Sequence, residues 1–151
     1  MKVAVSACLL GVRCRFDGRS KPSAEVQRFL EDHECQVVKI CPAVMGGLSI
    51  PHPPHEQRVL DGRVRMVDAE GNDHTEAFEA GARSACALVC DSGCTHAILK
   101  AKSPSCGVGE VYDGTFSDAL VPGDGVATKM LKEAGVVVAT EKNFRERFGC
   151  E

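Results

Sequence analysis

The sequence has no cluster of basic residues. Its 18 Lys and Arg residues are set against 21 Asp and Glu residues, which gives a formal net charge of −3. Electrostatic binding of nucleic acid normally uses a basic patch or stripe, and no block of Lys or Arg supplies one here. We therefore expect no nucleic-acid partner.

The sequence also lacks a long apolar segment. Its first residues, MKVAVSACLLGVRCRFDG, include an apolar stretch, but charged residues and glycine interrupt it. The stretch is too short to span a bilayer or to form the apolar part of a secretory signal. We therefore interpret it as a buried strand followed by a loop, and expect a cytoplasmic protein without a membrane partner.

Internal repeats and low-complexity linkers are missing as well. The chain has 151 residues, of which 44% are hydrophobic, and this suits one compact domain with a single core. We predict one domain over residues 1–151, present as a monomer or a homodimer.

Apolar patterning predicts strands that alternate with helices. Strands are predicted at residues 2–6, 35–40, 58–67, 96–99 and 136–140, the third of these folding into a hairpin that turns at Asp61 and Gly62. Helices are predicted at residues 24–32, 75–89 and 126–134, with Ser23 as a cap, Gly135 as a stop and a short charged helix at the end. Segments 7–21, 41–56 and 101–114 are predicted as loops. This alternation indicates a Rossmann-like three-layer α/β domain, with a mostly parallel sheet and one β-hairpin insertion.

Cysteine is abundant for a chain without a secretory signal, since nine occur. In a reducing compartment such thiols are more often metal-binding or catalytic than disulfide-bonded, and others are ordinary core residues. Cys8 follows the first predicted strand, Cys41 the second, and Cys106 lies in the loop after strand 96–99. Ligands of parallel sheets bind beyond the carboxyl ends of the strands. We therefore predict that these three thiols meet at one crevice.

Thiolates are soft ligands that suit zinc or an iron-sulfur cluster. A cubane cluster ordinarily takes four protein thiolates, so three would leave one iron open, as a catalytic metal site requires. Small residues flank each candidate thiol, namely Ala7 before Cys8, Gly46 and Gly47 after Cys41, and Ser105 and Gly107 around Cys106. Such neighbours let the backbone approach a bulky inorganic group and donate hydrogen bonds to it.

Four strings in the same order resemble a family of small bacterial proteins that includes 2-thiouracil desulfidases. They are SACLLGVRCRFDG, CPAVMGGLSIPHPPHE, AILKAKSPSCG and VYDGTFSDALVPGDGV, and the resemblance extends from Val5 to about Glu141. It implies a [4Fe-4S] cluster whose ligands, by motif position, are Cys8, Cys41 and Cys106. It also implies non-redox removal of sulfur from a small thiolated heterocycle such as 2-thiouracil, giving the oxo product and hydrogen sulfide.

The chain departs from this family at the expected catalytic acid. The family's CPE string reads Cys41-Pro42-Ala43 here, and His52 stands where the family tends to have Arg. His52, His55 or Glu56 are candidate substitutes, the alternative being a different substrate or lost activity. Asp17, near Cys8, is a further candidate, although its Asp-Gly sequence also suits a turn. Ser103 is a candidate hydrogen-bond donor to substrate or cluster, although an SPS turn needs hydroxyls for its own backbone.

The remaining cysteines leave other interpretations open. Cys14 is a candidate fourth ligand, which would make a closed, non-enzymatic metal or redox site. Cys86 and Cys90 lie four residues apart on a predicted helix and could bind a metal with Cys94, or simply face the sheet. Cys35 and Cys150 are predicted to be inert. A third interpretation is a cluster-free enzyme with Cys106 as nucleophile and His52 or His55 as base.

Overall fold

The computed structural model describes residues 1–149, so Cys150 lies outside the described residues. Four parallel strands form the central sheet: β1 (Lys2–Ser6), β2 (Gln36–Ile40), β5 (His96–Leu99) and β8 (Val137–Thr140), in the order β2-β1-β5-β8. Two antiparallel pairs lie outside it, β3 (Glu56–Leu60) with β4 (Arg63–Val67), and β6 (Glu110–Tyr112) with β7 (Leu120–Pro122). The helices are α1 (Ala24–Asp32), α2 (Pro42–Met45), α3 (Thr75–Asp91), α4 (Val126–Glu133) and α5 (Phe144–Phe148).

Both faces of the sheet are covered by helices. On one face, Val3 and Val5 of β1 pack with α1 and α5 through residues such as Phe29 and Phe144. On the other face, Ala4 packs with residues of α3 and α4. Burial on both faces is the usual condition of a parallel sheet. The predicted three-layer α/β fold is confirmed. Separately, none of the helices in residues 1–149 is long and apolar enough to cross a membrane.

Local sequence signals place most of these elements. The Ser23 side chain accepts a hydrogen bond from the Val26 backbone N–H, as predicted for the cap of α1. Asp61 and Gly62 both adopt positive φ at the β3–β4 turn, which matches the predicted hairpin. The hairpin starts at Glu56, two residues earlier than predicted.

Three predicted loops contain short regular structure. Residues Ala7–Leu10 form a 3-10 helix, and Pro42 opens α2 because its fixed φ suits the first helical position. Segment 101–114 includes β6, which gains its partner β7 only through the return of the chain at Leu120–Pro122. These corrections concern pairing and capping over short distances, which composition alone does not reveal.

Helix α2 packs on α3 with almost no space between the two backbones. A Cβ on Gly81 would overlap the carbonyl oxygen of Pro42, and a Cβ on Gly46 would overlap that of Ala77. Only glycine permits such an approach, since it has no Cβ. The contact holds α2, and with it the preceding Cys41, at the edge of the sheet.

Candidate active site

A cavity of about 500 Å³ lies at the carboxyl edge of the parallel sheet. Four thiols line it, and we call this group the sulfur wall: Cys8, Cys14, Cys41 and Cys106. None of these four is joined in a disulfide. The three thiols expected to meet at one crevice therefore do so, together with Cys14.

Each thiol is carried by the segment that leaves a strand. Cys8 lies in the 3-10 helix that continues β1, and Cys41 directly precedes α2 after β2. Cys106 lies in the loop after β5, where its backbone N–H donates to the Ser103 hydroxyl at 3.1 Å. Strands β1 and β5 are neighbours in the sheet. The strand order reverses between them, which is where ligands of such sheets bind.

The thiols of the sulfur wall influence one another. A hydrogen bond with Cys14 lowers the pKa of Cys8, against the opposing effect of burial. The same thiol, together with burial, raises the pKa of Cys41, and burial raises the pKa of Cys106 to about 12. Lys100 on the cavity wall favours the thiolate of Cys8. Metals bind the thiolate form of cysteine. A metal bound by these thiols would therefore displace the protons that the raised pKa values of Cys41 and Cys106 keep on the sulfur atoms.

Two serines surround the Cys106 sulfur. The Ser103 hydroxyl accepts hydrogen bonds from the backbone N–H groups of Ser105 and Cys106, at 3.2 and 3.1 Å. Hydrogen bonds from Ser6 and Ser103 favour the Cys106 thiolate, although burial outweighs them. Ser103 thus makes the backbone contacts of its own turn and also touches the sulfur.

Another part of the cavity lining comes from the segment before β3 and from α3. We call it the histidine wall: His52, Pro54, His55, Glu56 and Phe78. His52 is half-buried, and its Nδ1 lies 2.9 Å from the Pro53 carbonyl oxygen. A carbonyl only accepts, so Nδ1 carries the proton and the Nε2 lone pair is available.

Side chains of strand β3 form hydrogen bonds with two loops that line the cavity, the loop that carries Cys106 and the loop around Phe116. The Glu56 carboxylate accepts from the backbone N–H groups of Gly114 and Phe116, at 3.0 and 3.1 Å. The Gln57 amide donates to the carbonyls of Pro104 and Asp124, both at 2.9 Å. These contacts hold the Cys106 loop and the segment around Phe116 against one strand. The Glu56 carboxylate is thus used to position a loop.

Known proteins are similar in sequence to this chain over nearly its whole length. Residues 3–143 match the sequence model of a family described as 2-thiouracil desulfurase. The chain belongs to this family. The uncharacterized protein YbbK of Bacillus subtilis (strain 168) is 36% identical over 150 residues, which cover 95% of this chain and 98% of YbbK.

A solved structure is similar over almost the whole fold. It is described as TudS, a [4Fe-4S]-dependent thiouracil desulfidase, and it matches with a TM-score of 0.86 and 37% sequence identity. The match covers 97% of this chain and 95% of TudS. The resemblance stated from the sequence motifs is thereby confirmed, and the family is one of desulfurases.

Other predicted residues of this family member lie elsewhere. Asp17 is exposed and is not part of the cavity wall, and its carboxylate accepts from the Arg19 backbone N–H at 3.0 Å. This is the turn contact that its Asp-Gly sequence suggested. Cys90 is exposed, whereas Cys94 is buried in the core between the sheet, α3 and α4. The Asp124 side chain, just before α4, accepts from the Gly109 backbone N–H and forms an ion pair with Lys132.

Sequence reasoning missed the aromatic residues that line the cavity. Aromatic rings line the cavity from three separate segments: Phe16, Phe78, Tyr112 and Phe116. The Ser105 hydroxyl, on the same wall, is buried and has no hydrogen-bond partner among the described residues. No pattern in the sequence identifies these rings, because their segments meet only through tertiary packing.

Proposed function

We propose that this protein is an iron-sulfur-dependent desulfidase that acts on a small thiolated heterocycle such as 2-thiouracil. Water replaces sulfur at the ring carbon, so a C=S bond and water become a C=O bond and hydrogen sulfide, with no net oxidation or reduction. The carrying observation is that Cys8, Cys41 and Cys106, remote in sequence, line one cavity. Family membership and the likeness to TudS support the same reaction class.

Cys8, Cys41 and Cys106 would hold a [4Fe-4S] cluster. Three soft thiolates suit such a cluster, and one iron would keep a position without a protein ligand. When bound, the cluster supplies a Lewis-acidic iron to the sulfur of the substrate. The sulfur atoms of these three cysteines do not all lie within 4.8 Å of one another. Among residues 1–149, the group of three potential ligands that all lie within 4.8 Å of one another is a different one.

The rest of the cavity suits a single planar ring. Its volume of about 500 Å³ falls in the range of small-molecule sites. Phe16, Phe78 and Phe116 offer apolar faces to a heterocycle, since aromatic rings prefer offset or edge contacts. The unpaired Ser105 hydroxyl is free to bind a ring N–H or an exocyclic oxygen.

Proton transfer is assigned to the histidine wall. The cavity is lined by Ala43 at the position where the family resemblance places a carboxylate, so that acid is missing. His52 presents a free Nε2 and would accept a proton from the attacking water. The Ser103 oxygen already accepts two N–H bonds, so its own hydrogen is free to donate to substrate or to the Cys106 sulfur. Nothing in the contacts of Asp17 supports a role in the reaction.

Anaerobic purification followed by assay with 2-thiouracil tests the proposal. We expect a brown protein with about four irons per chain, which releases sulfide and forms uracil in equal amounts. Cys106→Ser should remove both iron and activity. Cys90→Ser, which changes an exposed thiol, is the matched control and should retain both. A colourless wild-type protein, or sulfide release that persists without iron, would contradict the proposal.

A second candidate, a closed site with four thiolates, is favoured by one observation. Cys14 is buried and hydrogen-bonds with both Cys8 and Cys41. Such a site would have no open iron and no substrate position, because structural metal sites are closed. Loss of iron in Cys14→Ala together with an inactive wild-type protein would favour this candidate.

A further inference from the structure

Three potential metal ligands converge behind the histidine wall, in a group that the proposed reaction does not use. They are His55 from the segment before β3, Asp68 directly after β4, and His74 at the start of α3. Their ligand atoms all lie within 4.8 Å of one another. Each comes from a different element, so the group is assembled by the docking of the β3–β4 hairpin on α3.

The two imidazoles face each other directly. His55 Nε2 lies 2.8 Å from His74 Nδ1. Either tautomer of a neutral His55 can use this contact, but then its buried Nδ1 has no hydrogen-bond partner in the structure. Leaving a buried polar atom unpaired costs about 1–3 kcal/mol. A doubly protonated ring is disfavoured as well, because burial and the neighbouring His74 and His52 lower the pKa of His55.

An ion held between the two rings would fix the tautomers of both histidines. Both facing nitrogens would then act as lone-pair donors, and the proton of His55 would be fixed on Nδ1. The Pro53 carbonyl raises the pKa of the His55 ring, so it lies near that ring, although it is not within hydrogen-bond geometry of Nδ1. Orientation of a ligating imidazole by a second hydrogen bond is a regular feature of metal sites.

Hydrogen bonds fix the carboxylate of Asp68, the third potential ligand. Its Oδ1 accepts from the backbone N–H groups of Glu70 and Asn72, at 3.0 and 2.9 Å, and its Oδ2 accepts from the Asn72 amide at 3.0 Å. These bonds lower the pKa of Asp68, with the Asn72 side chain as the main cause. Oδ2 keeps a lone pair for a metal. The carboxylate is thus ionised and fixed before any ion arrives.

We propose that His55, Asp68 and His74 form a site for a single Zn²⁺ ion or a similar divalent transition metal. Two imidazoles and one carboxylate are a donor set that zinc takes, and three protein ligands leave a fourth position for water. His74 is exposed, so the ion has a path from solvent, while His55 also lines the cavity. The site therefore borders the cavity that the thiols line. The proposal does not depend on the iron-sulfur cluster.

Zn²⁺ titration of the anaerobically purified holoprotein, followed by calorimetry, tests the proposal. We expect one equivalent to bind, with affinity lowered at least about tenfold in His74→Ala and in Asp68→Asn. His74 is exposed and makes no side-chain capping bond, and Asp68→Asn keeps the oxygen that accepts the two backbone N–H bonds of the turn, so both variants should fold. His33→Ala removes an exposed histidine at the end of α1, on the other face of the sheet from α3, and is the matched control.

X-ray absorption at the zinc edge separates this site from the thiols. The expected spectrum shows only nitrogen and oxygen ligands at about 2.0–2.2 Å. Sulfur neighbours at about 2.3 Å would place the ion on the sulfur wall and overturn the proposal. Failure of the wild-type protein to bind Zn²⁺, or binding unchanged in His74→Ala, would overturn it too. Iron content, measured in the same samples, reports separately on the proposed desulfidase.

Discussion

The sulfur wall is carried by segments that leave parallel strands, whereas the histidine wall depends on an insertion between β2 and β5. Cys8, Cys41 and Cys106 each follow a strand of the central sheet. His52 and His55 precede β3, which is not part of that sheet, and their position depends on contacts with α3 and with two distant loops. One wall therefore belongs to the scaffold of the fold, and the other can vary in chemistry without disturbing it.

The largest effect is expected when a proposed cluster ligand of the sulfur wall is replaced. Cys41→Ser should abolish iron binding and desulfuration, because the softer thiolate is replaced by a poor iron ligand. Cys14→Ser should retain the iron, since three ligands remain. Iron content and the absorption spectrum under anaerobic conditions measure both. Equal losses in the two variants would make Cys14 a ligand and contradict the three-thiolate assignment.

The histidine wall should affect rate and leave cluster content unchanged. We expect His52→Ala to lower kcat for 2-thiouracil by about 10² or more, the lower range for loss of a general acid or base. Iron per chain should stay at the wild-type level, because His52 is not one of the proposed ligands and its Nδ1 is bonded to the Pro53 carbonyl. Steady-state kinetics with His33→Ala as the control measure the effect. An unchanged rate would remove His52 from the mechanism.

A smaller effect tests how α2 and Cys41 are held. Gly81→Ala should lower the free energy of unfolding by about 1–3 kcal/mol, the usual range for overpacking, because its Cβ overlaps the Pro42 carbonyl. Urea unfolding measures this, and Ser84→Ala at an exposed position of α3 is the control. Since Pro42 adjoins Cys41, we also expect reduced iron content in Gly81→Ala. Wild-type stability and iron content would show that the two helices can separate freely.

The smallest effect is expected when the cap of α1, which belongs to neither wall, is removed. Ser23→Ala removes the cap of α1 and should lower the free energy of unfolding by about 1 kcal/mol. Iron content and kcat should not change, because the lost bond joins Ser23 to Val26 and no residue of either wall takes part in it. Thermal unfolding together with the sulfide assay measures both. A loss of activity at full iron content would connect α1 to the cavity and weaken the distinction between scaffold and site.

The alternation of strands and helices and the position of each thiol after a strand were readable in the sequence. They are local properties: residue periodicity reports which face is buried, and the carboxyl ends of parallel strands necessarily share one edge. This is why Cys8, Cys41 and Cys106 were placed together correctly, although their role as cluster ligands stays a prediction.

The histidine wall and the group behind it were decided by the tertiary structure. His55 and His74 meet because the hairpin docks on α3, and the Gln57 and Arg58 side chains reach loops 47 and 56 residues away. Asp17 is close to Cys8 in sequence but lies outside the cavity wall, because its turn directs it to solvent. Contacts of this kind depend on the packing of separate elements, and no periodicity along the chain encodes them.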